Sequence, residues 1–429
     1  MSFFEEKQTK LNGMTVHTIK TDKYKTNTLV LKLLAPLKKE TVTKRALLPY
    51  VLQRATARFP STGQIRHHLD GLYGATLFAD LTKKGENHII TLRMEVANEN
   101  FLTEKTPLLE EAIKLMSDIL LRPLLNGDAF DESIIKEEKR TLKQRIQAAY
   151  DDKMRYSNLR LVQEMCKDEP YALHVNGEME DADALTAAEL YEYYQRVLKE
   201  DKLDFYLIGD FCEETAGKMI QTHFTFAANS HAYPELEKQV SQKVEEKEVI
   251  EEEDVKQGKL NIGYRTNCTY KDEQYFALQV FNGIFGGFSH SKLFINVREK
   301  ASLAYYAASR VESHKGLLMV MSGIEVGNFD RAVSIIKEQM GAMKAGDFTE
   351  EDLVQTKGMI RNQLLETIDT SFGLCEVLYQ NAAANAGRTF DELLDGISQV
   401  TKEEVVAAAS NIQLDTIYFL KGTGAESDG

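Results

Sequence analysis

Phe130-Asp131-Glu132 and Phe348-Thr349-Glu350 each open a helical pattern, and the two patterns match. In the first, apolar residues follow at Ile135, Leu142 and Ile146. In the second they follow at Leu353, Ile360 and Leu364, the same offsets, and Lys139 is matched by Lys357. A repeat spaced by roughly 215 residues is too long for a solenoid, whose units recur every ~20–50 residues. It marks two homologous domains of about 200 residues each.

The agreement extends outward from these helices. Thr186-Ala187-Ala188-Glu189 is a capping box, in which the threonine accepts from the third helical amide while the glutamate reaches back to the amide of the cap. Thr401-Lys402-Glu403-Glu404 is its counterpart. Each box starts a helix that leads to a short β-rich run ending in glycine, residues 205–209 and 418–422. Residues 89–96 echo 318–326, both strands by propensity and length. Leu108, Leu109, Ala112, Ile113, Met116, Ile119 and Leu120 form one apolar stripe after the helix start Thr106-Pro107. Runs of strand followed by helix predict an α+β fold. Each domain is expected to be a mainly antiparallel sheet with helices packed on one face, the pair related by a pseudo-twofold axis. The expected boundaries are 1–225 and 250–429, joined by a charged linker at 226–249.

With 52 basic and 66 acidic residues the chain carries a formal charge of −14, which argues against nucleic acid as a partner. Four widely spaced cysteines, Cys166, Cys212, Cys268 and Cys375, form no CxxC pair and point to reduced thiols in a cytoplasmic protein. The start has no basic region followed by an apolar run, so no secretory leader is expected. No stretch of about 18 apolar residues exists to span a bilayer, so no membrane partner is expected.

Several phrases resemble the pitrilysin-type (M16) zinc peptidases. They are Leu11-Asn12-Gly13-Met14-Thr15-Val16; Asp168-Glu169-Pro170-Tyr171, Gly177 and residues 185–194; Leu207-Ile208-Gly209-Asp210; and Gly283-Ile284-Phe285-Gly286-Gly287-Phe288 continuing to Val297-Arg298-Glu299-Lys300 and Leu303-Ala304-Tyr305. Their order and spacing cover nearly the whole chain. The family's inverted motif, His-x-x-Glu-His, falls on Ala46-Leu47-Leu48-Pro49-Tyr50-Val51-Leu52, where Leu47 and Val51 occupy the histidine positions and Tyr50 the glutamate position. The third ligand of the family, a glutamate on a later helix, matches Gln144, with Lys143 or Arg145 in its place if the register shifts by one. None of these side chains offers the imidazole, thiolate or carboxylate that zinc requires. No metal and no cofactor are therefore expected, and Leu47 is expected to pack on Val51. Pro49 lacks an amide hydrogen and clashes with the carbonyl four residues back, so the helix is expected to begin near Pro49.

His67-His68 are neighbours on a helix capped by Ser61 and point about 100° apart, so they cannot share one ion. The glycine-rich loop with Gly283, Gly286 and Gly287 lacks the phosphate-binding patterns, and the resemblance implies chain flexibility beside a substrate cavity instead. It also implies that Arg298 and Tyr305 hold the peptide backbone and stabilise an oxyanion, a task suited to a guanidinium fork and a phenol. Their alternative is an ion pair and a packed ring. The resemblance implies a non-catalytic subunit that binds an extended peptide and completes the chamber of an active zinc-bearing M16 partner. The alternatives are a peptide-binding scaffold that pairs with itself and, third, a hydrolase with an unrecognised site.

Overall fold

The computed structural model describes residues 3–103, 106–226 and 245–423. In the first half, strands β1 (Glu6–Leu11), β2 (Met14–Lys20) and β3 (Thr26–Pro36) precede helices α1 (Lys39–Leu52) and α2 (Thr62–Gly71). The strand pair β4 (Thr76–Lys84) and β5 (Asn87–Ala97) comes next. Helices α3 (Leu108–Leu121), α4 (Glu132–Asp151), α5 (Lys153–Met165), α6 (Met179–Ala184) and α7 (Ala187–Glu200) lead to strand β6 (Lys202–Gly209) and helix α8 (Glu213–His223). The second half has β7 (Lys247–Glu253), β8 (Gly258–Arg265), α9 (Tyr275–Asn282), β9 (Ala304–Glu312) and β10 (Leu317–Ile324). It ends with α10 (Phe329–Lys344), α11 (Glu350–Thr367), α12 (Ser371–Ala384), α13 (Phe390–Gln399), α14 (Lys402–Ser410) and β11 (Gln413–Gly422).

The first sheet runs β1-β2-β6-β3-β5-β4 and the second β7-β11-β8-β10-β9. Leaving out β1, the two orders correspond strand for strand. Each sheet has one parallel pair, at the same place: β2 beside β6 and β7 beside β11. The other pairs are antiparallel. The matched lysines do matched work. Lys139 on α4 donates to the carbonyls of Asp183 and Leu185 at the end of α6, and Lys357 on α11 donates to the Ser398 carbonyl at the end of α13. A cation at a helix C-terminus satisfies carbonyls that the helix leaves without a partner. Both expected capping boxes form, and Thr389 with Glu392 makes a further one on α13.

Three expectations need correction. First, α1 does not begin near Pro49. It starts at Lys39 and carries Pro49 in its last turn, where Leu47, Leu48, Val51 and Leu52 are all buried. That burial outweighs the roughly 3 kcal/mol that an interior proline costs. Second, the linker expected at 226–249 falls largely on 227–244, outside the described residues, but its last three residues belong to β7, which pairs with β11 over its whole length. Third, the compact units are not contiguous. One comprises 1–147, 173–236 and 368–377; the other comprises 148–172, 237–367 and 378–429.

Because of that exchange, the second unit's sheet is covered on both faces. Leu318, Val320, Ile417 and Phe419 face the core shared with α9, α10 and α14. On the opposite side Leu317, Met319, Tyr418 and Leu420 pack against Leu161, Val162 and Met165 of α5, a helix from the first half of the chain. Met165 sits so close to β8 that a Cβ on Gly263 would lie 2.0 Å from its sulfur.

The corresponding face of the first sheet is polar instead. One register row across it reads Thr15, Asp204, Lys32, Thr91 and Asp80. His17 stacks on Tyr206 with ring centroids 4.1 Å apart, and its ring nitrogens lie 2.6 Å from Glu6 and 3.2 Å from Asp204. Lys202 also pairs with Asp204, while Lys32 and Lys84 both reach Glu376. Burial alone would lower the His17 pKa, but Asp204 and Glu6 more than reverse this and raise it. A raised folded value means that the His17 contribution is complete below the unfolded pKa of about 6.5 and is lost as pH rises through the folded value. The stability advantage of the wild-type protein over His17→Gln is therefore expected to shrink as pH rises from about 6.5 through the raised folded value. Urea melts across that range test it; an advantage independent of pH would show that His17 is held by packing alone.

The turn between β1 and β2 uses Asn12 (φ 48°) and Gly13 (φ 86°), the two left-handed positions of a tight hairpin. No helix among the described residues is long and apolar enough to cross a membrane.

Candidate functional site

Helix α1 brings Leu47, Tyr50 and Val51 together, with Leu47 fully buried and Val51 nearly so. The side chain that meets them from α4 is not Gln144, which is exposed. It is Arg145, whose guanidinium carbon lies 3.4 Å from the centre of the Tyr50 ring. Arg145 follows Ile135, Glu138 and Leu142 at helical spacing, so the stripe that buries α4 contains one acid and one base. That polar pair inside an apolar stripe is the signal that separates Arg145 from Gln144.

Charges surround the tyrosine. Arg54 pairs with Glu137 and lies 3.5 Å from Glu138, which is buried. Burial pushes the Glu138 carboxyl up, while Arg54 and Arg145 pull it down. The Tyr50 phenol is also raised, first by burial and then by the carboxylates of Asp80 and Glu138, with Arg145 opposing. Asp80 lies on β4, the edge strand of the first sheet.

This donor set does not fit zinc. Leu47 and Val51 have no donor atom, and the single buried carboxylate, Glu138, is already beside two guanidinium groups. Among the described residues no three His, Cys, Asp or Glu side chains are grouped so as to hold a metal ion.

The remaining candidates belong to the second unit. Gly283–Gly287 and Phe294–Lys300 wind as π-helical turns, wider than an α-helix. The glycines are there for close packing. A Cβ on Gly283 would stand 2.4 Å from the Thr356 methyl, and one on Gly286 would stand 2.5 Å from the Ser309 hydroxyl. Around them the Ser309 hydroxyl donates to the Asn282 amide oxygen, and His290 shares a hydrogen bond with the Thr356 hydroxyl. Flexibility, the implied role of this loop, is not how Gly283 and Gly286 are used; Gly287 is exposed. Arg298 lies over the Phe294 ring at 4.6 Å and pairs loosely with Glu299 at 3.7 Å. Tyr305 projects from β9, the edge strand of its sheet, and is 72% exposed.

A family model described as peptidase M16 inactive domain matches residues 184–359. Over 434 residues, covering the whole of both chains, the sequence is 59% identical to a Bacillus subtilis protein named probable inactive metalloprotease YmfF. The chain belongs to the peptidase M16 family. Among solved structures, a conserved protein from Enterococcus faecalis is 32% identical and covers 99% of this chain and 100% of its own, with a TM-score of 0.91. A peptidase M16 inactive domain from Pseudomonas fluorescens superposes with a TM-score of 0.80 at 18% identity, over 99% of this chain and 100% of that one, a likeness of fold alone. This M16 protein is a non-catalytic member of its family, in keeping with the apolar Leu47 and Val51 and the cationic Arg145 gathered around Tyr50.

Proposed function

We propose that this M16 protein binds extended peptide and completes the chamber of an active, zinc-bearing M16 subunit in the cytoplasm. The observation that carries the reading is the intact zinc helix with altered chemistry. Helix α1 runs unbroken through Leu47, Tyr50 and Val51, the positions that the resemblance assigns to the metal motif, which supports a frame kept while its chemistry is changed. Edge strands favour the same reading. Strands β4 and β9 each pair on one side only and can take an added strand from a peptide through backbone hydrogen bonds, with little demand on sequence. The exposed Tyr305 on β9 suits contact with such a peptide. The four cysteines are free thiols, as a reducing compartment would keep them. A scaffold that pairs only with itself is the second reading, and it shares the edge strands.

Metal analysis and reconstitution test the proposal together. The purified protein is expected to hold no stoichiometric zinc and to cleave no unstructured peptide alone. Peptidase activity should appear or rise on mixing with a zinc-bearing M16 relative that co-purifies with it. About one zinc per chain, removable by chelator with loss of a peptidase activity, would overturn the reading. A self-dimer that ignores every zinc-bearing relative from the same cell would favour the scaffold.

A further inference from the structure

Beside the positions that the resemblance assigns to the zinc motif, this chain holds a guanidinium. The Arg145 guanidinium carbon lies 3.4 Å from the centre of the Tyr50 ring, a cation–π contact. Its Nη1 is buried and meets no hydrogen-bond partner among the described residues. A buried donor left in this state loses its water without compensation, so an acceptor from outside would be welcomed. Glu138 stands beside both Arg54 and Arg145 but makes no hydrogen bond to Nη1, and the other nearby acids have partners of their own. Arg54 pairs with Glu137 and sits beside Glu138, and Asp80 accepts from the amide of Leu81. Tyr50 has a hydroxyl to offer as well, and its helix α1 packs against β4, the edge on which a peptide can add.

We propose that Arg145 and Tyr50 form a carboxylate-binding site at the former metal position, which takes the C-terminal carboxylate or an acidic side chain of a peptide laid along β4. The proposal rests on the peptide-binding reading above and adds the chemistry of the ligand. Zinc and guanidinium both attract oxygen, but they differ in the chemistry they allow. A guanidinium presents parallel donors that match a carboxylate in bidentate fashion, and it cannot generate hydroxide. An arginine beside the expected ligand position, in place of the glutamate that the resemblance implies, would turn a position that cuts into one that holds.

Fluorescein-labelled ten-residue peptides of Gly, Ser, Thr and Val test this by anisotropy with the full chain. Three versions are compared: a free C-terminal acid, a C-terminal amide, and an amide with one internal Glu. The acid, the Glu version or both should bind about 10- to 100-fold more tightly than the plain amide, the range of a charge-assisted hydrogen bond. Which of the two binds tells the source of the carboxylate. The preference should disappear in Arg145→Met and fall partway in Arg145→Lys, which keeps the charge and loses the fork. Equal binding of all three peptides to the wild-type protein would overturn the carboxylate site and leave peptide binding standing. No binding of any peptide would overturn both. The wild-type comparison needs no variant, so a poorly folded Arg145→Met cannot blur the result.

Discussion

Arg45→Met is expected to destabilise the first unit by about 3–5 kcal/mol, the cost of breaking one side of a buried ion pair. Arg45 is fully buried on α1. Its Nη2 lies 2.6 Å from the Asp201 carboxylate and donates to the Leu33 carbonyl at 2.6 Å, Nε donates to the His88 carbonyl, and Nη1 reaches the Tyr193 hydroxyl. Methionine fills most of the volume but leaves Asp201 alone in the interior. Burial already pushes the Asp201 pKa up to about 6 while Arg45 opposes it. Without Arg45 the folded value should rise further above the unfolded one near about 4. A raised folded pKa contributes stability below the unfolded value that is lost as pH rises, so the damage should be mild at about pH 5 and severe at about pH 8. Replacing both partners, as in Arg45→Met with Asp201→Leu, should recover much of the loss, because paired apolar substitutes are often neutral or better. Urea denaturation of the wild-type protein and both variants at two pH values checks all of this. A loss under about 1 kcal/mol for the single variant would show that water reaches Asp201.

Tyr305→Phe is expected to lower kcat by about 10²–10³ in a complex reconstituted with a zinc-bearing relative, the usual cost of one lost oxyanion donor. The ring remains and only the hydroxyl is removed, so assembly should persist. Charge that develops only during hydrolysis affects turnover more than binding, so KM should hardly change. The exposure of Tyr305 and the loose partnering of Arg298 leave both side chains available for such work. Full activity for both Tyr305→Phe and Arg298→Ala, measured by steady-state peptide cleavage, would show that the subunit contributes shape alone.

Much of the fold was legible because it depends on local rules. The boxes at Thr186 and Thr401, the apolar stripe of α3 and the matched offsets of Lys139 and Lys357 are all short-range patterns, and the structure uses each of them. The misreadings share a cause, since each was settled at long range. Pro49 reads as a helix breaker until the burial of its neighbours is known. The glycines at 283 and 286 read as freedom until Thr356 and Ser309 are seen against them. The choice between Gln144 and Arg145 could not be made by matching phrases; the α4 stripe of Ile135, Glu138 and Leu142 points to Arg145, and the structure places it on Tyr50. The apolar face of α5 is present in the sequence, but a periodic stripe does not say which sheet it will cover.

The exchange of α5 bears on how the protein is made. Leu161, Val162 and Met165 leave the ribosome early, whereas the strands that cover them, with Leu317, Met319, Tyr418 and Leu420, are still to be translated. At about 5–20 residues per second, the wait is on the order of ten seconds or longer. For that interval the nascent chain carries an amphipathic helix whose apolar face has no surface to rest on. Synthesis of this protein should therefore lean on chaperones that hold nascent chains, and a message truncated between the halves should yield a sticky fragment rather than a working domain.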